Sequence, residues 1–181
     1  MAYGKRYIET LNTAFLQLHN LQGLLGKLEE GTYSLKAGVT YQQYLVLIVV
    51  EAGGPPVTET LIAKRLQRNL NTISMIVDRM EKKGLLVRRW SEVDRRQRQV
   101  ELTKKGKDAL NKGLKVGVEL RKRLGQEFTE NELEELTALV TKLRDRVFKE
   151  LGQEVPPTPV GNAIRQQVMR LYEKASTREK G

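Results

Sequence analysis

The 181-residue chain has no cysteine and a single histidine, and both absences close off chemistry. Without thiols there is no disulfide, no thiolate metal site and no cysteine redox switch. One imidazole, His19, makes no histidine-rich metal site and serves no triad with a cysteine nucleophile. Long apolar runs are also missing. The longest, Tyr44 to Val50, falls far short of the roughly 20 residues that span a bilayer. The first residues turn polar and charged where a signal peptide needs its apolar stretch, so the expectation is a soluble, cytoplasmic protein without a membrane role. No phosphate-cradling glycine loop, metal-ligand cluster or nucleophile with a credible base is found. The acidic run Glu132 to Glu135 sits at a helix start, where capping explains it. An enzyme is therefore not expected, nor any cofactor or metal.

Positive charge is abundant and uneven. Residues 63 to 107 hold fourteen Lys and Arg against five Asp and Glu, a local net of +9 out of +10 for the whole chain. A field confined to one segment is the mark of a polyanion-binding surface rather than of a generally basic protein.

Residues 5 to 30 place Ile8, Leu11, Phe15, Leu18, Leu21, Leu25 and Leu28 in a rhythm of threes and fours, one stripe along a helix that needs a partner. His19 lies near this stripe and reads as a helix residue satisfied locally. Gly31 to Gly38 reads as a loop. Thr40 opens a second helix, with Gln43 as capping-box partner and Val39 and Tyr44 as hydrophobic staple. Its run from Tyr44 to Val50 is apolar nearly all round and marks the buried centre, and Gly53-Gly-Pro-Pro56 stops it. Thr58 caps a short helix with Leu61, Ile62 and Leu66 inward and Lys64 and Arg65 outward. Gln67 to Asn69 forms a turn.

A helix from about Asn69 to Lys83 follows, with Leu70, Ile73, Ile76, Val77 and Met80 inside. Asn71, Thr72, Ser74, Met75, Asp78 and Arg79 lie on its outer face. Small polar groups at the N-terminal end approach phosphates and base edges closely, where the helix dipole favours phosphate; an ordinary solvated face is the plainer alternative. Gly84 ends the helix. Leu85 to Trp90 and Gln97 to Leu102 have strand chemistry, which leaves Ser91 to Arg96 as a hairpin tip holding Asp94, Arg95 and Arg96. An arginine at such a tip suits a minor groove, and a neighbouring carboxylate can hold its guanidinium; charged hairpins are also commonly just solvated turns.

Thr103 opens a long helix to about Gly125, weakened by Gly113 and Gly117 and so dependent on packing. Phe128 and Leu133 bracket a Thr129 to Glu132 capping box ahead of a last long helix. The long helices show more apolar surface than a small winged domain covers, and sharing between two chains is the simplest remedy. Val155-Pro-Pro-Thr-Pro159 is a stiff linker, followed by a short basic amphipathic segment. The expected organisation is an N-terminal dimerisation helix and loop (1–38), a winged helix-turn-helix (39–106), C-terminal dimerisation helices (107–155), and a linker with basic tail (156–181). The fold class is mainly α with a small β-hairpin wing.

Asn71 to Arg89, then Asp94-Arg-Arg96, then Val100-Glu-Leu-Thr-Lys-Lys-Gly106 resemble the MarR family of winged helix-turn-helix transcription regulators over roughly residues 5 to 152. The resemblance implies a homodimer that sets two winged domains on successive major grooves of a palindrome in double-stranded DNA. It places Asn71, Thr72, Ser74 and Met75 on the base-facing part of the recognition helix, with Arg79 on its exposed flank. Arg96 takes the minor-groove role, Asp94 orients it, and Arg95 and Arg98 touch phosphate. Many relatives are basic or polar where Met75 stands, which here suits a thymine methyl better than guanine. The family further implies a small aromatic or anionic effector, for which His19, Tyr41 and Tyr44 are candidates, with buried aromatic core as the competing reading. The competing function is a winged-helix assembly protein that coats DNA or meets an acidic protein.

Overall fold

The apolar run that no surface helix could carry forms the middle of the molecule. In the computed structural model, which describes residues 4–54, 56–90 and 98–155, α2 (Tyr41–Ala52) buries Tyr44, Val46, Leu47, Ile48, Val49 and Val50. Every other element of the winged domain packs on it or on its neighbours: α3 (Glu59–Leu66), α4 (Leu70–Lys82), and the antiparallel pair β1 (Leu86–Trp90) and β2 (Arg98–Leu102). The start of α2 is held as expected, with Thr40 Oγ1 accepting from Gln43 N at 3.1 Å and Gln43 Oε1 accepting from Thr40 N at 3.2 Å. The hairpin pairs Leu86 with Leu102 and Trp90 with Arg98. Val100 N also donates to Val57 O at 2.8 Å, which ties β2 to the segment ahead of α3.

Two long helices flank this domain. α1 is one continuous helix, Lys5–Ala37, so the loop expected at Gly31 to Gly38 is instead helix up to Ala37, closed by Gly38 in the left-handed conformation at φ 71°. Helix propensity loses to tertiary packing here. Tyr33 and Ala37, one turn apart, are buried, and that anchoring outweighs the cost of a mid-helix glycine. α5 (Lys104–Gly125) starts directly after β2, with Thr103 Oγ1 accepting from Gly106 N at 3.0 Å. α6 (Glu130–Glu150) begins at the Thr129 capping box.

The glycines that weaken α5 are what let it pack. A Cβ at Gly113 would lie 2.4 Å from the Tyr44 ring, and one at Gly117 would lie 2.6 Å from the Tyr33 hydroxyl oxygen. Helix α5 therefore lies directly against the two tyrosines that join α1 to α2. By contrast α6 buries no residue, and α1 leaves Leu11, Phe15, Leu18, Leu21 and Leu28 exposed along its length. No helix among the described residues is long and apolar enough to cross a membrane.

Gly113→Ala should lower stability by about 1–3 kcal/mol, the usual cost of forcing a methyl into a filled core. Gly31→Ala, in the open interior of α1, should raise it by about 0.5–1 kcal/mol. Urea denaturation at fixed protein concentration checks both, and a Gly31→Ala change without gain would contradict the continuous helix.

Candidate nucleic-acid interface

The turn and cap chemistry that sets α4 in place is local. Gln67 takes the left-handed conformation at φ 52°, and Arg68 N donates to Ala63 O at 3.0 Å. Asn69 Oδ1 then accepts from both Thr72 N, at 2.8 Å, and Thr72 Oγ1, at 2.7 Å. Ile73, Val77 and Met80 are wholly buried and anchor the helix on α2. Leu70, expected inside, is exposed, because it is the first helical residue and stands clear of the core that begins at Ile73. Beside this end of α4, where the helix dipole is positive, Gln42, Gln67, Arg68, Asn69, Thr72 and Ile76 line a groove of about 450 Å³.

The outer face divides in two. Asn71, Met75 and Arg79 are exposed, and their side chains have no hydrogen bond or ion pair among the described residues. Thr72 is exposed too, although its hydroxyl proton is committed to the Asn69 cap. Ser74 is half-buried and donates to Glu59 Oε2 at 2.5 Å, so it faces α3 rather than outward. Its neighbour on the same stripe, Asp78, is exposed but paired with Arg88.

That arginine is the feature the sequence reading missed. Arg88 Nε donates to Glu59 Oε1 at 2.7 Å, Nη2 to Asp78 Oδ1 at 2.6 Å and Nη1 to Glu81 Oε2 at 2.6 Å. Its backbone N–H donates to Glu81 Oε1 at 3.0 Å. All three guanidinium nitrogens are used, and the side chain is only 13% exposed. Burial works against the Arg88 charge, but the hydrogen bonds to Glu59, Glu81 and Asp78 prevail and hold its pKa above the ordinary value. One signal was available: strand alternation from buried Leu86 puts Arg88 on the inner face. Arg65, read as outward, is half-buried as well, with Nη2 3.5 Å from Gly53 O at the end of α2.

On the hairpin, Arg98 lies over the Trp90 ring, 4.7 Å from its centroid. Arg89 pairs with Glu101 at 3.1 Å. The expected tip residues Asp94, Arg95 and Arg96, like the tail from 156 to 181, lie outside the described residues.

The three effector candidates are not brought together. His19 is exposed, its Nδ1 2.8 Å from Phe15 O one turn back, and it lies fourteen residues before Tyr33, about 21 Å along the same helix. Tyr41 and Tyr44 do meet, through Tyr33, whose ring centroid is 5.1 Å from the first and 4.5 Å from the second. Burial, then the nearby Glu29 carboxylate, pushes the Tyr41 hydroxyl up to about 12. The Tyr33 hydroxyl is buried and makes no well-formed hydrogen bond among the described residues, although the Arg121 guanidinium and the Tyr44 hydroxyl lie near it and interact with it. Tyr33 and Arg121 were not singled out from sequence, because they meet only when α1 and α5 pack.

Residues 37–97 match the family model described as MarR family. The chain is similar to the MarR family over this segment. Its fold is the winged helix of that family's solved structures. A MarR-family relative, the HTH-type transcriptional regulator SarZ of Staphylococcus epidermidis, is 29% identical over 119 residues, 65% of this chain and 80% of that protein. The fold is similar to that of the S. aureus MepR–DNA complex, with TM-score 0.65, 21% identity, and coverage of 72% of this chain and 94% of that one. It is similar also to an organohalide-sensing transcriptional regulator in its 2,4-dichlorophenol-bound form, with TM-score 0.67, 19% identity, and coverage of 81% and 86%.

The Arg88 cluster has a pH signature. Hydrogen bonds from the Arg88 side chain and backbone hold the Glu81 carboxyl below its ordinary value. A carboxyl whose folded pKa is depressed adds stability above its unfolded pKa, and this is lost as pH falls through the folded value. The denaturation midpoint should fall on acidification below the ordinary carboxylate range, and Glu81→Gln should flatten that decline. An identical acid profile in the variant would remove Glu81 from the account.

Proposed function

We propose that the chain is a homodimeric, sequence-specific regulator that sets two winged domains on a palindromic operator in double-stranded DNA and represses transcription there. The observation that carries this is the division of α4, in which a wholly buried anchor of Ile73, Val77 and Met80 backs an exposed stripe of Asn71, Met75 and Arg79. A rigid helix with an unengaged polar face suits a major groove. Residues 39–106 form the DNA-binding unit in this reading, Asp94 and Arg96 act at the minor groove, and Arg95 and Arg98 meet phosphate. The groove at the N-terminal end of α4 seats a further phosphate.

Residues 1–38 and 107–155 form the dimer. The exposed apolar side chains of α1 and α6, among them Phe15, Leu21, Leu136 and Val140, need a cover that the described residues do not supply. A second copy covers them and places the recognition helices about one helical turn of DNA, roughly 34 Å, apart. The buried Tyr33 hydroxyl and the Arg121 guanidinium beside it support a small aromatic or anionic effector at the α1–α2–α5 junction, which relieves repression by altering that spacing. Tyr41 and Tyr44 belong to this junction, and His19 stands apart from it.

Selection of bound duplexes from a random DNA pool at physiological salt, with the protein's mass in solution recorded alongside, should yield a two-fold symmetric motif held by a dimer. The motif should bind about a thousandfold more tightly than random DNA. Absence of a motif, or binding by a monomer, would overturn the reading. Arg96→Ala should weaken motif binding and relax preference in its AT-rich segment, whereas unchanged affinity and footprint would remove the minor-groove role.

A further inference from the structure

The Glu59 carboxylate joins two elements that meet DNA from different sides. Its Oε1 accepts from Arg88 Nε, on the first wing strand, at 2.7 Å, and its Oε2 accepts from Ser74 Oγ, on the recognition helix, at 2.5 Å. Glu59 is itself the first residue of α3, and its side chain is only 21% exposed. Arg88 returns to the recognition helix through Asp78 and Glu81. Ser74, Asp78 and Glu81 follow one another at spacings of four and three, so they form a single stripe along α4. That stripe flanks the exposed stripe of Asn71, Met75 and Arg79. A closed circuit of five side chains thus fixes the rotation of α4 about its own axis relative to both α3 and the wing.

We propose that Glu59 is a positioning residue for DNA recognition: through Arg88, which it shares with Asp78 and Glu81, it sets which face of α4 is offered to the bases, and by taking the Ser74 proton it withholds Ser74 from them. The proposal rests on the sequence-specific reading above. Its chemistry is simple. A serine hydroxyl has one proton, and the Glu59 carboxylate, which only accepts, takes it. Ser74 then has no proton to donate to a base acceptor, and Asn71, Met75 and Arg79 are left to read the groove. The circuit also holds three carboxylates against one guanidinium. Its excess negative charge lies along the flank of α4 inside a strongly basic segment, where it opposes indiscriminate contact with phosphate.

Glu59→Gln separates these effects from simple loss of structure. The amide keeps one oxygen for Arg88, but its NH2 group donates, so the Ser74 hydroxyl is released as a donor and one negative charge is removed. Affinity for random DNA should hold or rise, and the ratio of motif to random affinity should fall about tenfold, with an altered base preference at the pair nearest Ser74. Ser74→Ala, which removes a small half-buried hydroxyl and is expected to fold, should leave the selected motif unchanged.

The test repeats the duplex selection with the wild-type chain and both variants, after thermal unfolding has shown each to be folded. A merely structural role for Glu59 predicts equal loss on motif and random DNA, and that outcome overturns the proposal. So does an unchanged affinity ratio in folded Glu59→Gln, or a motif that changes in Ser74→Ala. If Glu59→Gln does not fold, Ser74→Ala alone decides: a preserved motif supports the withholding of Ser74 and a changed one overturns it. A wild-type chain that enriches no motif is a separate failure, which removes the regulator reading and the role of Glu59 with it.

Discussion

The ring of Tyr44 occupies the space that a side chain at position 113 would need, and the rest of the molecule is built outward from that contact. Tyr44 belongs to the buried α2, its ring stacks obliquely near Tyr33 of α1, and both press on the glycine face of α5. Because α3 and α4 rest on α2, the position of the recognition helix is referred to the long flanking helices through a few rigid rings. Aromatic side chains have few rotamers and resist compression, so this junction passes on displacement where a looser aliphatic layer would absorb it. An effector at this junction would therefore act where α1, α2 and α5 share a wall.

Charge counting located a basic segment but gave an incomplete picture of it. A net of +9 over residues 63 to 107 treats every arginine as surface charge. Arg88 is not: it is surrounded by Glu59, Asp78 and Glu81 and contributes to the internal frame. Arg65 reaches the end of α2, Arg89 pairs with Glu101, and Arg98 lies over Trp90. Helix α4 itself carries two cations, Arg79 and Lys82, without a described partner, and Arg79 is the one on the exposed stripe. On the proposed reading, affinity and discrimination fall to different groups, since phosphate contacts hold a protein on DNA while base contacts choose the site.

What could be read in the sequence was what is decided within a few residues. The capping boxes at Thr40 and Thr129, the helix starts at Thr58 and Thr103, and the two strands of the hairpin all follow from neighbours three or four positions away, or from alternation along a short segment. The loop expected at Gly31 to Gly38 failed because Tyr33 and Ala37 are held by helices that come later in the chain. The outward assignment of Ser74 failed likewise, since its partner is fifteen residues upstream. His19, Tyr41 and Tyr44 were grouped by side-chain chemistry alone, and helix α1 separates the first from the others by its length. The resemblance to the MarR family supplied the order of elements, which periodicity alone does not supply. It did not supply the Glu59 and Arg88 circuit, which is a property of this particular set of side chains.

The single tryptophan of the chain stands at the root of the wing. Trp90 is 59% exposed, with the Arg98 guanidinium across one face of its indole. Indole emission responds to a cation on its face and to the water around it, and no second tryptophan contributes background. The protein thus carries a native optical label at one site, beside the residues of the hairpin tip. Events at the wing can be followed in the unmodified chain, and changes confined to the far ends of α1 and α6 would leave that signal dark.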